Sequence, residues 1–226
     1  DVRRRAQIII DIRHAIAKMA GEDFPVFLKF AAIERGFGIE TTQISDGLEI
    51  ARIAESEGFS GLTPVAIDAE PDVAISRGDF PVASLRHRDL REAYIRASET
   101  QAKLILATFA LSRALRGNPF IASWNAKVMA AVKTAVRIPV FGEGGIRTQT
   151  EANRLLGTGT CDLIGLGRPF YAEPEIARRF LTQVDSNDTR NHCDDCNRCI
   201  PALMADLNGG CYHPAAMRAR RTGSTR

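Results

Sequence analysis

Residues 136–169 read V-R-I-P-V-F-G-E-G-G-I-R-T-Q-T-E-A-N-R-L-L-G-T-G-T-C-D-L-I-G-L-G-R-P, and they limit the possible folds more than any other stretch. Residues 138–141 are short, apolar and β-rich, which predicts a strand. That strand runs into Gly142-Glu143-Gly144-Gly145, where a backbone without side chains can turn tightly and bring N–H groups against an anion. The T-x-x-E capping box at Thr148 and Glu151 starts a helix, whose first N–H groups add to the same anion site. Residues 161–166 are nearly all apolar, as a parallel strand buried on both faces should be. Gly167-Arg168 ends that strand with an open backbone and a planar cation suited to phosphate. Adjacent strand ends presenting Gly-Gly and Gly-Arg describe the phosphate site at the top of strands 7 and 8 of a (β/α)8 barrel. Ordinary βα turns, with glycines for tight packing, would account for the glycines but leave Arg168 unexplained.

The rest of the chain supplies fewer strands than a closed barrel needs. Val2 to Ala20 is predicted helical, with Ile8, Ile12, Ala15 and Met19 on an inner face and Arg3, Arg4, Arg5, Arg13 and Lys18 mostly opposite. Residues 25–30 (P-V-F-L-K-F) form a strand in which Lys29 breaks the apolar run. A lysine there needs a partner, and near the end of a barrel strand it points into the site. Residues 31–42 read as a loop with Gly36 and Gly38. Ser45 caps the next helix, which carries Ile50, Ala51 and Ala54 inward and ends at Gly58. Residues 59–65 are the following strand, with Thr63 as a polar lining residue. A helix at 123–136 and a closing helix at 175–181 behind Pro174 complete the alternation. Four strands would leave two bare edges, so either another half completes the barrel or two copies pair. The first residue is Asp, and a fragment is the expectation.

Residues 66–118 depart from this alternation as a long insertion. Residues 67–88 read as a loop, and 91–98 and 102–115 as helices. The second is unusually apolar (L-I-L-A-T-F-A-L) for a connection that should be short. A lid, an oligomer surface, a membrane-facing patch or one more buried helix would each fit it. Trp124 reads as packing.

The tail, 185–226, carries Cys193, Cys196, Cys199 and Cys211 at the spacing C-x2-C-x2-C-x11-C. Four thiolates can hold Zn²⁺ or an iron–sulfur cluster, with His192 and His213 as further candidates. Free thiols are the alternative. A net charge of +3, partly from Arg218, Arg220, Arg221 and Arg226, is too small to argue for nucleic acid. No signal peptide is apparent, and no apolar run reaches the ~18 residues of a membrane span. Clustered rather than dispersed cysteines then imply a reducing, cytoplasmic setting.

Taken together, I-P-V-F-G-E-G-G-I-R-T, C-D-L-I-G-L-G-R-P-F, D-F-P-V-F-L-K-F and R-R-R-A-Q-I-I-I-D-I-R-H-A-I resemble the C-terminal half of the Old Yellow Enzyme family, the NADH:flavin oxidoreductases. The resemblance implies the second half of an FMN-binding TIM barrel: about four βα units over residues 1–184, followed by the Cys-rich tail. It assigns the FMN phosphate to the Gly144 and Gly145 backbone and to Gly167 with Arg168. It places Lys29 beside the flavin pyrimidine ring, where a cation stabilises negative charge on the reduced flavin. The tail resembles that of members related to 2,4-dienoyl-CoA reductase and trimethylamine dehydrogenase, which carry a [4Fe–4S] cluster. There the second and third cysteines have three residues between them; here they have two. The family's catalytic residues come from its first four strands, so none is assigned here.

The expected activity of the intact protein is FMN reduction by NAD(P)H and hydride transfer to a small activated alkene, with a missing N-terminal half or a homo-oligomeric partner. Two other readings remain: another phosphate-binding TIM-barrel enzyme, or a half-barrel interaction module without catalysis.

Overall fold

The computed structural model describes residues 1–36, 39–68, 77–78, 98–101, 103–104, 107–108, 111, 121–182, 190–200 and 209–216. They fall into two compact units. The first takes the described residues of 1–68, 122–146 and 150–165; the second takes those of 77–121, 147–149 and 166–216.

The first unit begins with α1 (Val2–Arg5), capped by the Asp1 carboxylate, which accepts a hydrogen bond from the Arg3 N–H at 2.9 Å. The helix α2 (Gln7–Ala20) follows. It buries Ile10, Arg13 and Ala17, not the predicted face: Ile8 is 68% exposed and Met19 90%. The reason lies in the sequence, because α2 is apolar nearly all round and periodicity alone leaves two candidate faces. Arg13 decides between them. Its buried guanidinium donates to the carbonyls of Gly58 (2.9 Å) and Glu22 (3.0 Å), which fixes that side of the helix inward.

The strands β1 (Phe27–Gly36) and β2 (Ile39–Thr42) form an antiparallel pair, so the predicted loop at 31–42 is largely strand. The Thr41 hydroxyl, which donates to the Glu34 carbonyl at 3.2 Å, helps close it. Next comes α3 (Ile44–Ser56), whose N-cap is Gln43 rather than Ser45. It returns the chain to β3 (Gly61–Asp68), which pairs parallel to β1 with Lys29 opposite Thr63. The helix α4 (Ala126–Ala135) leads to β4 (Phe141–Gly142), and α5 (Gln149–Gly157) leads to β5 (Leu163–Ile164). A parallel bridge between Leu62 and Val140 joins β3 to β4, and β4 pairs parallel to β5. The strands thus form two sheets, ordered β2-β1-β3 and β4-β5, which the Leu62–Val140 bridge places side by side, with right-handed βαβ units the expected connection between parallel neighbours.

Ala32, Ala51, Ala54, Leu62, Met129, Val132, Val140 and Leu155 fill the core between these sheets and their helices, all fully buried. Asn125 is buried among them, and its carboxamide donates to the Pro64 carbonyl at 2.8 Å and accepts from the Ala66 N–H at 3.2 Å. β5 departs from its expected burial. It is the last strand of its sheet, and Leu163 is exposed.

The second unit contains α6 (Arg168–Ala172) and α7 (Ile176–Thr182). An antiparallel bridge between Thr148 and Arg190 fastens the start of the tail. Residues 99–101, 103–104, 107–108 and 111 are helical, and Leu104 and Leu111 are exposed. The remainder of the predicted helix 102–115, nearly all of the expected loop 67–88 and helix 91–98, and the arginines of 218–226 lie outside the described residues. No helix among the described residues is long and apolar enough to cross a membrane.

Candidate functional site

In the first unit, the chain leaving β4 makes the turn predicted to receive an anion. Gly144 and Gly145 take φ of 110° and 73°, left-handed backbone that glycine adopts without a side-chain clash. A β-carbon on Gly144 would stand 2.8 Å from Cε2 of Trp124. Trp124 therefore packs, as expected, but packs against the turn itself. The Gly145 carbonyl accepts the Ser123 N–H at 3.0 Å. Ser123 also has positive φ (48°), and its buried Oγ has no hydrogen-bond partner among the described residues. The Gly144 and Gly145 N–H groups donate to no described residue. Both glycines are only partly buried, so these N–H groups are open to a ligand, and a turn of this kind can hold a multi-oxygen anion.

Lys29 lies in the same unit. Its Nζ bonds Glu143 Oε2 at 2.5 Å, with the lysine side chain about half exposed and the carboxylate about one-third exposed. The lysine thus has the partner its position requires, and that partner sits inside the glycine turn. Thr63, its register neighbour on β3, is buried.

Gly167 and Arg168 belong to the second unit. Gly167 is the N-cap of α6, and a β-carbon there would meet nothing within 4 Å, so packing does not require the glycine. Arg168 is the first residue of that helix. One terminal nitrogen bonds Asn197 Oδ1 at 2.5 Å, and the other lies 3.1 Å from Asp195 Oδ1. Asp195 Oδ2 takes the guanidinium of Arg147. The predicted phosphate ligand is therefore a held cation with a built shell around it.

The tail brings Cys193, Cys196, Cys199 and Cys211 to one cleft, together with Arg168, Tyr171, His192 and His213. Burial pushes the Cys193 thiol up to about 11, against the opposing hydrogen bond from the Asp195 N–H. Burial likewise raises Cys196 and Cys199, although Arg168 works to lower the latter. Metal binding needs thiolates in a defined shell. Among the described residues, no group of three or more His, Cys, Asp or Glu side chains is set as such a shell. The predicted ligands are gathered on one cleft.

Four residues of these sites escaped sequence reasoning: Ser123, Glu143, Asp195 and Asn197. Glu143 carried a readable signal, as the one charge inside a glycine turn opposite a lysine that needed an anion. Asp195 and Asn197 were hidden by the cysteines around them, and Ser123 carried no signal at all.

Residues 113–217 match the family described as dihydrouridine synthase. The chain is 24% identical over 194 residues to an NADH oxidase of Thermoanaerobacter brockii, covering 86% of this chain and 23% of that protein. It is 25% identical over 215 residues to a multifunctional alkene reductase/demethylase of Caballeronia cordobensis, covering 95% and 25%. Among solved structures, the 6-hydroxypseudooxynicotine amine oxidase of Pseudomonas geniculata N1 shares the fold over 97% of this chain and 26% of its own, with a TM-score of 0.60 at 18% identity. The chain spans about a quarter or less of the length of the curated relatives it matches. These likenesses run along nearly the whole chain, and they are similarities to proteins named NADH oxidase and alkene reductase and to a dihydrouridine synthase model.

Proposed function

We propose that this chain is the C-terminal half of a (β/α)8 flavin-dependent oxidoreductase and holds the phosphate and pyrimidine ends of FMN. The observation that carries this reading is the turn at Gly144 and Gly145, whose N–H groups and neighbouring Ser123 hydroxyl meet no partner among the described residues, with the adjacent Lys29–Glu143 pair. These groups fit a phosphate and a ring that gains negative charge on reduction. FMN would supply hydride chemistry between NAD(P)H and a small activated alkene, in keeping with relatives named NADH oxidase and alkene reductase.

The chain's own residues bind and orient. The Gly144 and Gly145 N–H groups donate to phosphate oxygens, and the resemblance assigns Gly167 and Arg168 to phosphate as well. Arg168 supplies fixed positive charge, and Lys29 places a cation at the pyrimidine edge. Glu143 holds Lys29 until the flavin arrives. No residue of this chain is assigned to proton donation or to binding the alkene. The cysteine tail enters no step.

The test is a titration of the purified chain with FMN, followed by flavin fluorescence, alongside the Lys29→Ala and Gly145→Val variants. Saturable binding that both variants weaken supports the reading. A chain that ignores FMN but binds a sugar phosphate at the same turn points to another phosphate-binding barrel.

A second reading is favoured by one specific observation. Ile8, Ile12 and Met19 form an exposed apolar stripe on α2, as a half-barrel interaction module would require. A chain that binds no flavin yet self-associates through this stripe, so that Ile12→Glu makes it monomeric, would support that reading instead.

A further inference from the structure

The run C-D-D-C-N-R-C places Asp195 and Asn197 between the thiols. Both take left-handed backbone, with φ of 55° and 54°, which Asp and Asn tolerate better than other residues carrying side chains. Both are buried. Here the two side chains converge on one cation: Asn197 Oδ1 on one terminal nitrogen of Arg168 at 2.5 Å, and Asp195 Oδ1 on the other at 3.1 Å.

Asp195 is shared by Arg147 and Arg168, so one carboxylate faces two guanidinium groups and helps hold both in place. The segment is itself anchored, since the Asn191 N–H and side-chain amide both donate to the Arg147 carbonyl, at 2.8 and 3.0 Å.

We infer that Asp195 and Asn197 are positioning residues for Arg168, fixing its guanidinium for a phosphate monoester. The inference rests on Arg168 serving the flavin phosphate, as proposed above. It gives the tail a role that needs no cluster.

The experiment uses the full chain and three variants. Asn197→Gly removes the acceptor while keeping left-handed backbone easy. Asp195→Asn keeps the shape and removes the charge. The triple variant Cys196→Ser, Cys199→Ser, Cys211→Ser removes most of the thiols. Affinities for FMN and for riboflavin, which lacks the phosphate, are measured by fluorescence quenching. The ¹⁵N-detected Nε–H signal of Arg168 is recorded without flavin.

The expectation is a rise of about tenfold in the FMN Kd for Asn197→Gly and Asp195→Asn, the scale of one charge-assisted hydrogen bond. Riboflavin affinity stays unchanged, and the cysteine variant binds FMN as the parent does. Unchanged FMN binding in the first two variants overturns the inference. So does equal loss of FMN and riboflavin, or a matching loss in the cysteine variant. If the parent binds neither flavin, the flavin reading fails on its own, and the Arg168 signal decides the positioning. One sharp resonance in the parent, broadened in Asn197→Gly and Asp195→Asn, supports it; the same signal in all three overturns it.

Discussion

Glu143 lies over Gly165 so closely that a β-carbon at the glycine would stand 2.7 Å from Glu143 Cγ and 3.2 Å from Oε1. The same carboxylate bonds Lys29. Gly165 thus makes room for the lysine's partner. Gly165→Ala should push Glu143 aside, break the pair and cost about 1–3 kcal/mol, the usual range for overpacking. Urea denaturation measures the loss. In a Glu143→Ala background the glycine substitution should cost much less, and an equal cost in both backgrounds would refute the connection.

Asn125 bridges two backbone groups within β3, donating to the Pro64 carbonyl and accepting from the Ala66 N–H. Asn125→Ala leaves both without a partner inside the core. The expected destabilisation is about 2–4 kcal/mol, since each orphaned buried group costs about 1–3. Asn125→Asp should also destabilise, because a carboxylate faces the Pro64 carbonyl without a donor. Equilibrium unfolding at neutral pH checks both.

Asp162 gives the first unit an acid dependence. Burial alone would raise its pKa, but hydrogen bonds from Lys133 and the Val140 N–H outweigh that and hold it below the usual carboxylate value. A lowered folded pKa means stability that is present above the unfolded carboxylate value and lost as pH falls through the folded one. The acid limb of a stability–pH curve should therefore flatten in Asp162→Asn, with the two proteins converging at low pH.

Cys193 acts at the other end of the scale. Its folded pKa of about 11 lies above that of an ordinary thiol, because burial disfavours the thiolate. A raised pKa contributes stability that is full below the unfolded thiol value and lost as pH rises through the folded one. Alkaline destabilisation is expected between pH ~9 and ~11, and it should be weaker in Cys193→Ser. At pH ~8, iodoacetamide should label Cys193 more slowly than the same cysteine in urea-unfolded chain, as thiolate is the reacting form. Mass spectrometry of the labelled peptides reads the ratio.

Local signals that needed no distant partner were the legible ones. The strand, glycine turn, helix and strand across 138–166 fold in that order, because an apolar β-rich run, consecutive glycines and an amphipathic helix each declare themselves within a few residues. The hairpin of β1 and β2 was missed because Glu34, Arg35 and Gly36 look like loop residues until Ile39 to Thr42 pair with them. The face of α2 was misread because Ile8, Ile9, Ile10, Ile12 and Ile16 offer more than one apolar stripe, and only a distant carbonyl at Gly58 draws Arg13 inward. At the site, Gly144, Gly145 and Lys29 were visible as residue types. Their neighbours Ser123 and Glu143, and the hold of Asp195 and Asn197 on Arg168, depend on contacts that no spacing encodes.

The pairing of β1 carries one more consequence. β3 runs along one edge of β1 from Phe27 to Arg35, while β2 occupies the other edge only from Glu34 to Gly36. The second edge of Phe27 to Ile33 has no ladder partner among the described residues, a length of about 23 Å at ~3.3 Å per residue. Any strand joining there, from this chain's relatives or from another copy, must stop before Glu34. The hairpin is thus an end stop: it fixes the register of whatever extends the sheet and rejects pairings that slide past it.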